Sequence, residues 1–388
     1  MVGNAGGGSQ TGANKGHSTY NPAMLKRLYI DNFRCFVNFE YAPERKQLLL
    51  GANGSGKSSL LDAIRFLKRF LHGAENPFLD TTRTRWLALS EQIFEIEALL
   101  DGKSYKYRVE TRFAPNSPIS TVRSESLKVA ESLVFEQVDG MIHFFGGGAD
   151  APSTLPRKMT NSSLYLARLN NASVDRFLGW IEHVHCLRID AYPDAMADTA
   201  EGEDTLPEDE LENLADWYRH LVQADPGANL ATINSLGNVL EGFVSLQLDQ
   251  LGINSRILRA NFVQAGNKKI AYSLSELSDG QRQLIALYMI LHALIAKGDT
   301  VFIDEPDNYI SLREIQPWLL AAEEAAEDSK GQLILISHHP EILNQWAQED
   351  GLRFFREQNG HVRTEKFKSD FDGLLQPSEL IARGWENE

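Results

Sequence analysis

KQLLLGANGSGKSSLLDAIRFL, residues 46–67, reads as an apolar strand, a glycine-rich loop and a helix whose leucines and isoleucine recur at helical spacing. Within it GANGSGKS, Gly51 to Ser58, satisfies the pattern GxxxxGK[ST] in the strand–loop–helix context that gives the pattern meaning. The glycines let backbone N–H groups turn inward around phosphate oxygens, and the positive end of the following helix adds to the cradle. Asn53, Gly54, Ser55, Gly56, Lys57, Ser58 and Ser59 are therefore the expected phosphate contacts. Lys57 is then expected to reach the β and γ phosphates of a bound nucleotide such as ATP, and the Ser58 hydroxyl to ligate Mg²⁺.

Two later strands lead to the same place. DTVFIDEP is apolar until Asp304, which brings a carboxylate to the end of a buried strand. Burying adjacent carboxylates without a cation is costly, so Asp304 is expected in the Mg²⁺ shell and Glu305 is expected to polarise the attacking water. GQLILISHH delivers His338 and His339 to that edge. Neighbours on a strand point to opposite sides, so only one can face a γ-phosphate; His338 is the preferred candidate, with His339 as its alternative. Consecutive apolar strands separated by helices predict a parallel sheet covered on both faces.

Bulk properties bound the rest. The chain has 388 residues, 43% of them hydrophobic, and a formal charge of −15, so nucleic-acid binding would require a local basic patch. Cys35 and Cys186 form no CxxC pair, and no apolar run is long enough to span a bilayer, which together suggest a reducing cytoplasm and no membrane. Residues 1–20 are rich in Gly, Ser and Asn and are expected to be a disordered arm. Residues 21–115 are expected to form the first part of the main domain, with hairpins predicted around Asp101-Gly102 and, beyond it, Asp139-Gly140. Residues 116–270 are expected to be a mainly helical insert or lid, and 271–388 the second part of the main domain. Within the insert, residues 193–217 hold ten acidic side chains and no Lys or Arg, the composition of a solvated loop.

The remaining motif is LSDGQ, Leu277 to Gln281, at the start of a predicted helix. Phosphate loop, LSDGQ, IDEP and ISHH occur in this order, and the combination resembles ABC-type ATPases of the SMC, RecF and OLD-like branch. The resemblance implies an α/β P-loop NTPase head with a mixed or parallel central sheet and an antiparallel N-terminal subdomain. It also implies a head-to-tail homodimer in which Ser278, Gly280 and Gln281 of one copy close over the γ-phosphate held by the other. By the same likeness Arg34, in LKRLYIDNFRCF, would contact the nucleotide, and Gln92 would approach the metal as a glutamine-loop residue. Neither a coiled-coil arm nor a nuclease domain is visible.

Compact heads of this kind resemble the ATPase subunits of bacterial anti-phage systems, whether retron-associated, Septu-like or PARIS-like. The expected function is an ATP-hydrolysing switch that controls a separate effector, a nuclease or toxin, with higher oligomers built from dimers compatible with it. The alternative is a RecF- or SMC-like DNA-binding ATPase, for which Lys26, Arg27, Lys68, Arg69, Arg83 and Arg85 would supply the basic strip.

Overall fold

The computed structural model describes residues 23–73, 78–115, 117–145, 161–168, 171–192, 195–264, 266–368 and 375–384. The arm expected over residues 1–20 lies outside them. Three sheets carry the fold. The central one has the order β17-β16-β3-β15-β14-β9: β3 (Lys46–Leu50), β9 (Val184–Arg188), β14 (Thr300–Asp304), β15 (Gln332–Ile336) and β16 (Gly351–Arg356) run parallel, and β17 (Val362–Lys366) is antiparallel at one edge. A seven-stranded antiparallel sheet has the order β2-β1-β4-β5-β6-β7-β8, made from β1 (Met24–Asp31), β2 (Phe39–Tyr41), β4 (Glu91–Leu100), β5 (Lys103–Phe113), β6 (Ser120–Val129), β7 (Ser132–Val138) and β8 (Met141–Phe144). The third is a small antiparallel sheet of β10 (Thr199–Ala200), β11 (Phe243–Gln250), β12 (Arg256–Gln264) and β13 (Lys268–Ser273).

Strand periodicity sorts the central side chains into two cores. Leu48, Leu50, Val301, Ile303, Leu333 and Leu335 pack with α4 (Leu214–Ala224), α6 (Asp279–Ala293), α7 (Leu312–Ser329) and α8 (Pro340–Asp350). Leu49, Phe302, Ile334 and Ile336 face the other way, onto α1 (Lys57–Leu71), α3 (Ala172–Glu182) and the seven-stranded sheet. Burial on both sides is why these strands read as nearly continuous apolar runs. The helix α5 (Pro226–Val239) packs on α6, α9 (Pro377–Ala382) on α8, and the short α2 (Leu164–Ala167) precedes α3.

Both predicted hairpins form. Asp101 (φ 52°) with Gly102 (φ 77°), and Asp139 (φ 47°) with Gly140 (φ 83°), adopt the paired left-handed conformation that two-residue turns between twisted strands require. The 116–270 stretch divides among all three sheets: β6–β8 extend the antiparallel sheet, β9 enters the central one, and helices α2–α5 alternate with β10–β12. The acidic segment is packed along the head: Asp209 takes a hydrogen bond from Arg188 N through its carbonyl at 2.8 Å and pairs with Arg65 of α1 at 3.3 Å. No helix among the described residues is long and apolar enough to cross a membrane.

One buried amide joins two sheets. Gln332 accepts from Leu25 N at 2.6 Å and Thr300 Oγ1 at 3.1 Å, and donates to the carbonyls of Leu25 at 3.0 Å and Glu44 at 3.2 Å. Gln332→Ala leaves these backbone groups unpaired in the interior, so it is expected to cost about 3 kcal/mol. Thermal unfolding would report this as a lower melting temperature; an unchanged melting curve would show that the joint contributes nothing.

Candidate active site

The phosphate loop leaves β3 at Gly51 (φ 134°), where a Cβ would stand 2.2 Å from the Phe354 carbonyl oxygen. Gly56 (φ 113°) ends the loop with its Cα facing Cys35 Sγ and Val362, both 3.1 Å from the position of an added Cβ. Only glycine fits either point. Helix α1 starts at Lys57 with no side-chain cap, so its first amide N–H groups have no acceptor from within the helix. Lys57 folds back over the loop: Nζ donates to Gly51 O, to Ala52 O at 3.2 Å and to Ser55 Oγ at 3.5 Å. Burial lowers its pKa, and the nearby charges of Asp304 and Glu305 oppose that shift.

The carboxylates stand opposite. Ser58 Oγ donates to Asp304 Oδ2 at 3.1 Å. Burial pushes the Asp304 carboxyl up, and the Ser58 hydrogen bond opposes that shift. Glu305 adopts a left-handed backbone (φ 52°), its N–H donates to Ile336 O at 2.8 Å, and its carboxylate accepts from Asn308 Nδ2 at 3.1 Å. A non-glycine residue held in this conformation costs on the order of 1 kcal/mol, and here it turns the side chain out of the strand line and into the cleft. Glu305 and His338 line the cleft together with Lys57, Ser58 and Asp304. The two histidines lie beyond the end of β15, in the loop before α8, and point to different places. His339 caps α8, its Nδ1 accepting from Glu341 N at 3.3 Å, while His338 faces the cleft with its pKa lowered by burial and by the Lys57 charge.

Asn53, Gly54, Gly56 and Ser59 line the same cleft, whereas Ser278, Gly280, Gln281, Arg34 and Gln92 do not. Ser278 and Gln281 form a reciprocal capping box at the start of α6, and Gly280 packs so closely on the next loop that a Cβ would stand 2.6 Å from Tyr309 O. The buried Arg282 fixes this corner, donating to Ala191 O at 2.6 Å and Leu274 O at 3.0 Å and pairing with Asp279. None of these residues lines the phosphate cleft of its own chain. Arg34 pairs with Asp62, on the flank of α1 beyond Ser58. Gln92 is fully buried in β4, its Nε2 donating to Asn32 O at 2.8 Å and Thr82 Oγ1 at 3.3 Å, so in this conformation it does not reach the cleft.

Two family matches fall on this architecture. Residues 24–137 match the family described as "AAA ATPase domain", and residues 210–344 match "AAA domain, putative AbiEii toxin, Type IV TA system". The chain carries an AAA-type ATPase domain. The ATPase has the fold of an SMC head: the structure of an SMC head bound to the C-terminal winged-helix domain of ScpA superposes with a TM-score of 0.51 at 11% identity, over 88% of this chain and 98% of that one. The SMC head of Thermotoga maritima gives a TM-score of 0.46 at 15% identity, over 89% and 99% of the two chains. No curated protein sequence matches the ATPase.

Two arginines of the ATPase cleft carry no motif. Arg188 ends β9 in register with Asp304, its exposed guanidinium lines the cleft, and among the described residues it makes no ion pair. Arg356 ends β16, also lines the cleft, and donates from Nε to Gly54 O at 2.7 Å. Reading VHCLRID as a further parallel strand would have brought Arg188 to the same edge as Asp304. A separate His183–His185–Asp299 group sits at the opposite edge of the sheet, where Asp299 Oδ2 lies 3.2 Å from His183 Nδ1 and 2.9 Å from His185 Nε2.

Proposed function

We propose that this protein is an ATP-driven switch whose two heads close on two ATP·Mg²⁺ and thereby control a separate effector, a nuclease or toxin, in bacterial anti-phage defence. The observation that carries this reading is the division of parts. Lys57, Ser58, Asp304, Glu305 and His338 converge on one cleft, while Ser278, Gly280 and Gln281 present a capped helix start away from it. A second copy related by a twofold axis would supply the missing side of each cleft. The toxin–antitoxin description of the second family match supports an effector-linked role.

In this reading Mg²⁺ is held by Ser58 and Asp304, with Lys57 and Arg188 bearing on the phosphates and Glu305 orienting the water. His338, exposed on the cleft and with its pKa lowered, offers one hydrogen bond to the γ-phosphate end. The DNA-clamping alternative has less to stand on, because much of its basic strip is already engaged. Arg27 pairs with Glu40 and Glu95, Arg83 with Asp80, and Lys68 donates to the carbonyls of Glu182 and Val184.

The test is the mass of the protein in solution with and without a non-hydrolysable ATP analogue and Mg²⁺. Wild type is expected to double its mass with the nucleotide. Ser278→Arg, which places a bulky cation at the capped corner, is expected to bind nucleotide and remain monomeric. A nucleotide-bound wild type that stays monomeric at tens of micromolar would overturn the switch.

A further inference from the structure

The groups assigned so far all address phosphate. The base end of the nucleotide has no partner among them, and two segments that connect to the loop through Cys35 and Val362 carry a pair of rings. Trp86 follows the turn Asp80–Thr82, and its side chain is 46% exposed. Its indole lies near-parallel to the imidazole of His361, with centroids 6.5 Å apart and 18° between the planes. That spacing is at the far end of the range for an offset pair, so each ring retains open face.

The chain connects both rings to the phosphate loop. His361 immediately precedes Val362, the residue that meets Gly56 and whose N–H donates to Cys35 O at 3.4 Å. On the other side, Arg34 N donates to Thr82 O at 2.7 Å and Thr84 Oγ1 donates to Phe36 O at 3.4 Å, which fastens the Trp86 loop to the turn at residues 32–36. That turn supplies Cys35, which also borders Gly56. The two rings therefore arrive from separate segments, one step removed from the same glycine.

We propose that Trp86 and His361 form the platform on which the nucleobase stacks, with a purine nucleotide as the favoured class. The inference rests on the phosphate-loop reading above. A stacking platform recognises area rather than hydrogen-bonding pattern, so it separates purines from pyrimidines and is tolerant between purines. It also explains an exposed tryptophan at this position, since an indole left in water gains by covering its face.

The test is calorimetric titration of the full chain with ADP, CDP and pyrophosphate, each with Mg²⁺. Trp86→Ala is expected to weaken ADP binding roughly tenfold, to erase most of the preference for ADP over CDP, and to leave pyrophosphate affinity unchanged. Trp86→Phe, which retains a ring, is expected to recover most of the loss, and His361→Ala to produce a smaller loss in the same direction. ADP affinity unchanged in Trp86→Ala would overturn the platform. Equal losses for ADP and pyrophosphate would overturn it too, since the residue would then be supporting the loop and not the base. Lys57→Ala separates the two proposals: undiminished binding of both ADP and pyrophosphate in that variant would refute the phosphate-loop reading itself.

Discussion

Glu305→Gln is expected to bind ATP as wild type does and to hydrolyse it at least about a hundredfold more slowly. The substitution keeps the size of the side chain and its hydrogen bond with Asn308, but removes the negative charge that polarises water. In the proposed switch Ser58, Asp304 and Lys57, which the substitution leaves untouched, would still hold the metal and phosphates, and closure would no longer be relieved by turnover. The mass of the ATP-bound variant should therefore be that of a stable dimer, where wild type cycles between states. Turnover and mass measured on one preparation decide the matter: rapid hydrolysis by a persistent monomer would remove both the role of Glu305 and the dimer. Asn308→Ala provides a milder companion, since it frees the carboxylate without deleting it.

The parts legible in the sequence were those in which local chemistry and fold demand the same residue. Gly51 and Gly56 must be glycine because backbone and side chains from β16 and β17 press on them, and the same glycines spell the motif. The apolar runs of β14 and β15 were readable because both faces are buried. The reading of 116–270 as a mainly helical insert is met by α2–α5 but left out the strands β6–β12 that share the stretch. A strand such as β9, five residues long and placed at a sheet edge by a partner far along the chain, leaves no periodic signal of its own. Gln92 illustrates the reverse case. The family likeness suggested a metal ligand, yet its amide nitrogen donates to Asn32 O and Thr82 Oγ1 in the interior. Nothing local in the sequence separates these two environments.

Arg188→Ala is expected to reduce turnover by about a hundredfold or more while ATP binding changes little. β9 runs parallel to β14, so the register that sets Arg188 beside Asp304 also brings its guanidinium to the phosphate cleft from within the same chain. Its main chain is fixed by the Asp209 carbonyl, so the side chain leaves from an anchored point. An exposed guanidinium that makes no ion pair among the described residues, and that lines the same cleft as Lys57 and Glu305, is suited to the negative charge that gathers on the transferring phosphoryl group. Arg188→Lys retains the charge but loses the planar fork, and should recover only part of the rate. A competing role is neutralisation of Asp304, whose carboxyl feels the Arg188 charge. The two roles part on metal dependence. If Arg188 only balances Asp304, Arg188→Ala will shift the Mg²⁺ requirement and regain the wild-type rate at saturating Mg²⁺. If it stabilises the reacting phosphate, the loss will persist however much Mg²⁺ is supplied.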